Sequence, residues 1–375
     1  MPGERSPIQL TWPQVHAFRL ARHHLNGPKD GDLGRVASDI GAAQAQLMSA
    51  AELQLAIRSG CTVDDVRKAL WTDRSLVKTW LMRGTLHLAR AGDLPLFTAA
   101  MSRRWIQPSN AWLKFVNVTE DEVWRLADEI GAALSDTPMT REELIAAVAR
   151  GRSARIREAL KSGWGGMLKP AARNGLLCFG PNRGQSVTFV SPHAWIKRWR
   201  EVDPDEAITE AARRYLHAYA PATKTDFARW WGAWPGVGRA AWSGLTGELV
   251  EVSVAGQRLD VLEPDVDAMR TADIDVHVQM LPLFDPYLLG HDNRDHLFEP
   301  EHAAKVSRPA GWISAVVLVD GSVIGTWTHS VARKKLRIAV APFTSLKRPV
   351  AAGIRARAQE IATALGVRDF AVEVG

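Results

Sequence analysis

Three times along the chain, helical periodicity gives way to a pair of short alternating apolar runs. In the first passage Leu33, Val36, Ala37 and Ile40 fall at helical spacing. A second helix is predicted to start near Ala50, and Thr62-Val63-Asp64-Asp65 caps a third that reaches about Trp71; residues 77–88 then alternate like strands. In the second passage Thr119-Glu120-Asp121-Glu122 and Thr140-Arg141-Glu142-Glu143 carry capping signatures, and one further helix is predicted over 155–172. Apolar runs at 176–179 and 187–190 flank the loop Gly180-Pro181-Asn182-Arg183-Gly184. In the third, Pro204-Asp205-Glu206 opens a helix to about Tyr219, Thr223 caps 224–231, and 238–245 forms another helix before a hairpin turning at Ala255-Gly256. Helix, helix, helix, hairpin is the order of a winged helix. The letters barely repeat, so the recurrence is structural.

A helix opened by Thr11, with Pro13 in its first turn, begins the first unit. Beyond residue 275 the texture turns to strands, at 276–283, 313–319, 323–328 and 335–340, with Asp320-Gly321 as a type I′ hairpin signal. An amphipathic helix over 344–365 and a strand over 369–374 close the chain. The expected architecture is α+β: winged-helix units over 1–118, 119–203 and 204–274, then a β-sheet or small barrel with a covering helix over 275–375. No low-complexity linker separates the parts, which are expected to pack as one body.

Composition matters here for what it excludes. No apolar run reaches the ~18 residues of a membrane helix, and residues 1–7 lack a signal-peptide core. Cys61 and Cys178 have no metal-ligand spacing, so neither zinc nor a disulfide is implied and a cytoplasmic setting is expected. The formal charge is +6, which suits a polyanion. Residues 141–183 hold nine basic side chains against Glu142, Glu143 and Glu158, an excess equal to that of the whole chain. They are Arg141, Arg150, Arg152, Arg155, Arg157, Lys161, Lys169, Arg173 and Arg183. On a winged-helix unit such a cluster points to phosphate contact, with Arg155, Lys169, Arg173 and Arg183 as the candidates. Arg333-Lys334-Lys335-Arg337 and Lys347-Arg348 form a second basic group, with Arg333 and Lys334 as DNA-binding candidates. Asp285, His291, Asp292, Arg294, Asp295 and His296 lie close together, but their spacing fits capping and turn duties better than a metal. Gly236-Val237-Gly238 mimics a dinucleotide fingerprint without the preceding strand. Neither a phosphate loop nor a nucleophile elbow occurs.

One stretch carries chemistry: Gly41-Ala42-Ala43-Gln44-Ala45-Gln46-Leu47-Met48-Ser49-Ala50-Ala51-Glu52. Ser49 and Glu52 read as a capping box, with the helix beginning near Ala50. In an extended lead-in, residues two apart share a face, so Gln44 and Gln46 aim the same way beside a helix N-terminus, whose free N–H groups favour a phosphate. By themselves, two glutamines at this spacing occur by chance and read as solvated amides or helix-end hydrogen bonds.

Around it stand Trp80-Leu81-Met82-Arg83-Gly84-Thr85-Leu86-His87-Leu88, Leu281-Pro282-Leu283-Phe284-Asp285-Pro286-Tyr287-Leu288-Leu289-Gly290, and Gly311-Trp312-Ile313. With the glutamine motif, in that order, the chain resembles the bacterial winged-helix DNA glycosylases of the AlkZ type, known from azinomycin self-resistance. The resemblance implies a monofunctional glycosylase that excises bulky N7-alkylated purines, crosslinked ones included, with Gln44 and Gln46 matching the family's excision motif. A sister branch carries Asp at the position of Gln46. Arg83, Thr85 and His87 match a family signature and are candidates for lesion or DNA contact. The implied partner is double-stranded DNA carrying alkylated bases, met at the nucleoid by a monomer that needs no obligatory protein partner and no cofactor.

The residues must be able to run that chemistry. An amide does not titrate near neutrality and cannot be a general base. An N7-alkylpurine, however, is already a cationic leaving group. What remains is to hold a water and orient dipoles toward an oxocarbenium-like sugar, and amide oxygens at Gln44 and Gln46 are expected to do both. The competing expectation is a non-enzymatic winged-helix regulator, which would show sequence preference and dimeric half-sites.

Overall fold

The computed structural model describes residues 7–102, 104–273 and 277–375. Capping signatures mark most of the helix starts. Thr11, Thr62, Thr119, Thr140 and Thr223 each accept from the backbone N–H three residues on, with the reciprocal side-chain bond in place. The same element order then recurs. In the first unit helices Leu33–Asp39, Met48–Ser59 and Val63–Trp71 pack on a sheet ordered Ala43–Gln44, Leu86–Arg90, Leu76–Trp80. In the second, helices Glu120–Ala133, Arg141–Val148 and Ala154–Lys161 accompany strands ordered Met139–Thr140, Ser186–Val190, Cys178–Arg183. The third has Pro204–Tyr219, Lys224–Trp231 and Pro235–Gly244, with hairpin Leu249–Val254 and Gln257–Leu262. There the first strand shrinks to a single bridge, Ala222 to Asp260, and Ile8–Leu10 adds in parallel on the other edge.

One expected element divides for a physical reason. The helix predicted over 155–172 is two, Ala154–Lys161 and Lys169–Arg173. Gly165, at φ 67°, breaks it: a Cβ there would sit 2.3 Å from the Trp80 ring, so only glycine lets the chain cross that indole. Helices Leu94–Ala100 and Asn110–Val116 are additional to the sequence reading. The C-terminal sheet is open. Its five strands run Val278–Leu281, Val316–Val319, Ser322–Ala332, Lys335–Pro342, Asp369–Val374, so no barrel closes. Asp320 and Gly321, both at positive φ, make the expected tight turn. The strand expected from 276 is described from Val278; residue 276 lies outside the described residues.

Helix Arg348–Ala364 covers this sheet and shares one apolar core with the first unit, in which Leu53, Leu55, Trp327, Ile338, Ile354 and Ile361 meet. A buried bidentate pair ties the two regions: Arg58 Nη2 and Nη1 reach Asp285 Oδ1 and Oδ2 at 2.7 and 2.9 Å, both side chains fully buried. Among the described residues no helix is long and apolar enough to cross a membrane.

Candidate active site

The glutamine motif begins with a forced turn. Gly41 and Ala42 both hold positive φ, 69° and 96°. A Cβ on Gly41 would meet the Trp230 ring at 2.9 Å, and the preceding carbonyl of Ile40 accepts from Tyr219 Oη at 2.9 Å. The first unit's motif is therefore gripped by the third unit. The backbone then zips onto the central strand: Ala43 pairs with Leu88, Gln44 with His87, and Ala45 N–H donates to Leu86 O at 2.6 Å. Ala43 and Ala45 enter the core, which leaves Gln44 and Gln46 to the opposite face, as the period of two requires.

The two amides differ in setting. Gln46 is exposed. Gln44 is buried, at 6% exposure, which corrects the expectation of two solvated amides. Its Oε1 accepts from Arg83 Nη2 at 3.0 Å, and Arg83 Nη1 donates to Trp230 O at 2.6 Å. The capping box also fails. Leu47 occupies the cap position of Met48–Ser59 with no side-chain bond. Ser49 lies inside the first turn, and Glu52 turns to Arg67, accepting at 2.9 and 3.0 Å. The helix start beside Gln46 thus keeps its N–H groups uncapped by any side chain.

Arg83 sits at φ 56° in the turn joining Leu76–Trp80 to Leu86–Arg90. Its guanidinium is sunk among protein atoms, and burial lowers its pKa to about 10, so it stays charged at neutrality. It has no carboxylate partner among the described residues. The turn is no free wing. A Cβ on Gly84 would lie 3.2 Å from Arg173 Nη2 and 3.7 Å from Lys169 Nζ, and helix Lys224–Trp231 abuts Arg83 on the other side. Burial lowers the pKa of Arg173 and of Lys169, the latter also through its charged neighbour Arg173. Three cations from two units therefore converge on one turn without an acid among them. Thr85 Oγ1 donates to Met82 O at 3.1 Å. His87 is buried, with Nδ1 3.0 Å from Thr85 O, and burial and then Arg83 lower its pKa to about 3. That neutral ring faces protein on all sides, so direct lesion contact by His87 does not fit its placement.

The remaining basic candidates divide. Arg183 already pairs with Glu143 at 2.6 Å. Arg155 is exposed without an acid partner among the described residues. Arg333 and Lys334 are exposed at the tip of the longest hairpin, both at positive φ. The 285–296 cluster is internal structure: Asp285 binds Arg58 and caps Pro286–Leu289, and Asp292 pairs with Arg229. The buried Arg19 contacts the Nε2 atoms of His296 and His291 at 2.8 and 2.9 Å. A guanidinium only donates, so both imidazoles offer a bare nitrogen and are neutral. Among the described residues no group of three or more His, Cys, Asp or Glu is arranged to hold a metal. The coupling of Gln44 to Arg83 is not legible in the sequence, because nothing local links positions 39 apart.

Comparison with known proteins gives one consistent result. The AlkZ-like family model, described as DNA glycosylase AlkZ-like, matches residues 37–364. An interstrand DNA cross-link repair glycosylase of Streptomyces sahachiroi is 35% identical over 378 residues, spanning 98% of this chain and 100% of that protein. The solved structure of the Streptomyces sahachiroi DNA glycosylase AlkZ superposes with a TM-score of 0.88 at 34% identity, covering 98% of this chain and 100% of that one.

Proposed function

The chain belongs to the AlkZ-like DNA glycosylases, and from that premise we propose that Gln44 and Gln46 form an excision site for N7-alkylated purines in duplex DNA. The observation that carries the site is the contact of Gln44 with Arg83, in a turn that Lys169 and Arg173 of the second unit approach at Gly84. The three recurring units act as winged helices, spanning about 1–118, 119–203 and 204–274, with the sheet domain following. The hairpin tip at Arg333 and Lys334, with Arg155 and Arg183, completes the DNA contacts, and Arg83 and Thr85 shape the site from behind. Genomic DNA as substrate puts the work at the nucleoid, by a monomer.

The chemistry follows from the lesion. N9 takes the electrons of the C1′–N9 bond, which neutralises the charge that alkylation placed on the purine. Water then adds to C1′ and releases a proton to solvent, leaving an abasic site. No side chain has to protonate the base, so amides that fix a water and present dipoles to the cationic sugar are sufficient. A crosslinked guanine cannot swing freely into a closed pocket, and the exposure of Gln46 suits such bulky adducts. The purified protein should release 7-methylguanine from duplex DNA and leave uracil in place. Efficient uracil release with inert 7-methylguanine would overturn the leaving-group argument.

A further inference from the structure

The two motif glutamines are chemically identical and structurally opposite. Gln46 has no hydrogen-bond partner among the described residues and is exposed. Gln44 gives its oxygen to a guanidinium, a group with N–H donors and no acceptor. That contact fixes which end of the amide points inward. The Nε2 end is turned away, and no described residue accepts from it. Arg83 is itself immobilised. Its other nitrogen is held by Trp230 O, and a Cβ on Gly232 would lie 2.5 Å from Arg83 Cα, so the backbones of the first hairpin and the helix end are in direct contact. A charged donor on the amide oxygen also polarises the amide and strengthens its remaining N–H.

We propose that Arg83 is a positioning residue for base excision, which makes Gln44 a hydrogen-bond donor to the attacking water and leaves Gln46 as its acceptor. The inference rests on the reading of Gln44-Ala45-Gln46 as the excision site. Donor and acceptor together fix a water by one lone pair and one hydrogen. Its second lone pair remains for C1′, and its second hydrogen for solvent. In a reaction through an oxocarbenium-like state, aiming the water matters more than sharpening its nucleophilicity.

Single-turnover release of 7-methylguanine by the full-length protein, at saturating enzyme, tests this. Gln44→Glu keeps a partner for Arg83 but has no N–H to donate. It should lose about tenfold to a thousandfold, as Gln44→Ala does, whereas Gln46→Glu keeps its acceptor and should stay within about tenfold of the unmodified protein. Arg83→Gly suits the left-handed backbone at this position. It should excise slowly, regain rate when millimolar guanidinium fills the vacated space, and add no further loss in a Gln44→Ala background. Three results would overturn the proposal: Gln44→Glu as fast as the unmodified protein, Arg83→Gly at full rate, or an Arg83→Gly loss that multiplies fully with that of Gln44→Ala. The underlying site assignment fails separately, when Gln44→Ala and Gln46→Ala both excise at the unmodified rate.

Discussion

At the scale of single residues, burial separates two positions that the sequence could only treat as a pair. Gln46→Ala should slow excision by roughly ten- to a thousandfold, about 1.4–4 kcal/mol of transition-state stabilisation, with melting nearly unchanged because the amide is exposed. Gln46→Asp should keep much more of the rate than Gln46→Ala. Gln44→Ala should slow excision comparably and also melt lower. It strips Arg83 Nη2 of its partner, and an unsatisfied buried donor costs about 1–3 kcal/mol. Equal melting temperatures for the two alanine variants would show that the Arg83 contact does not hold in solution. The face shared by Gln44 and Gln46 was legible from a period of two. The depth of Gln44 was not, because it depends on a turn from one unit and a helix from another. Histidines set the acid limit. Burial, aided by nearby arginines, lowers His16 to about 4 and His87 to about 3 and pushes His23 and His291 well down. Below the ordinary value of 6.5 an unfolded chain binds protons that the folded one refuses. Stability should therefore fall as pH drops from 6.5 toward those values, by up to about 1.4 kcal/mol per pH unit for each imidazole. Thermal melts between about pH 7 and 5 read this directly, and a flat profile would contradict neutral buried rings.

At the scale of elements, the basic segment of the second unit is less uniform than its composition suggests. Arg152, Lys161 and Arg183 already hold Glu129, Glu158 and Glu143, whereas Lys169 and Arg173 occupy a short helix with no acid partner among the described residues. Arg173→Ala should lower the salt dependence of duplex binding by about one unit of log–log slope. Arg183→Ala should change it less, since any phosphate contact there competes with Glu143. Binding titrations across a salt series decide it, and an unchanged slope for Arg173→Ala would remove that residue from the DNA interface. Capping threonines and the Asp320-Gly321 turn were legible because their bonds close within a few residues. The false cap at Ser49 and the merged helix over 155–172 were not. Glu52 finds Arg67 across the unit, and Gly165 answers to an indole 85 positions away.

At the scale of the molecule, Arg58 and Asp285 join positions 227 apart in a site without water access. Arg58→Met leaves an uncompensated carboxylate, and the loss should be about 3–5 kcal/mol, visible as a collapse of the melting temperature; a variant as stable as the unmodified protein would mean that the carboxylate escapes to solvent. The first unit and the C-terminal sheet thus share one apolar core and this ion pair, although the chain visits two other units between them. The parallel strand Ile8–Leu10 has a related consequence during synthesis. It leaves the ribosome well ahead of its partner Val252–Val254, which follows only after roughly 240 residues, a wait of about 12–50 s at about 5–20 residues per second. Through that interval a strand-forming segment has no native edge to join, and nascent chains halted before residue 250 should expose their N-terminal residues to protease. Protection at that stage would mean that another surface shelters the strand until its edge is made.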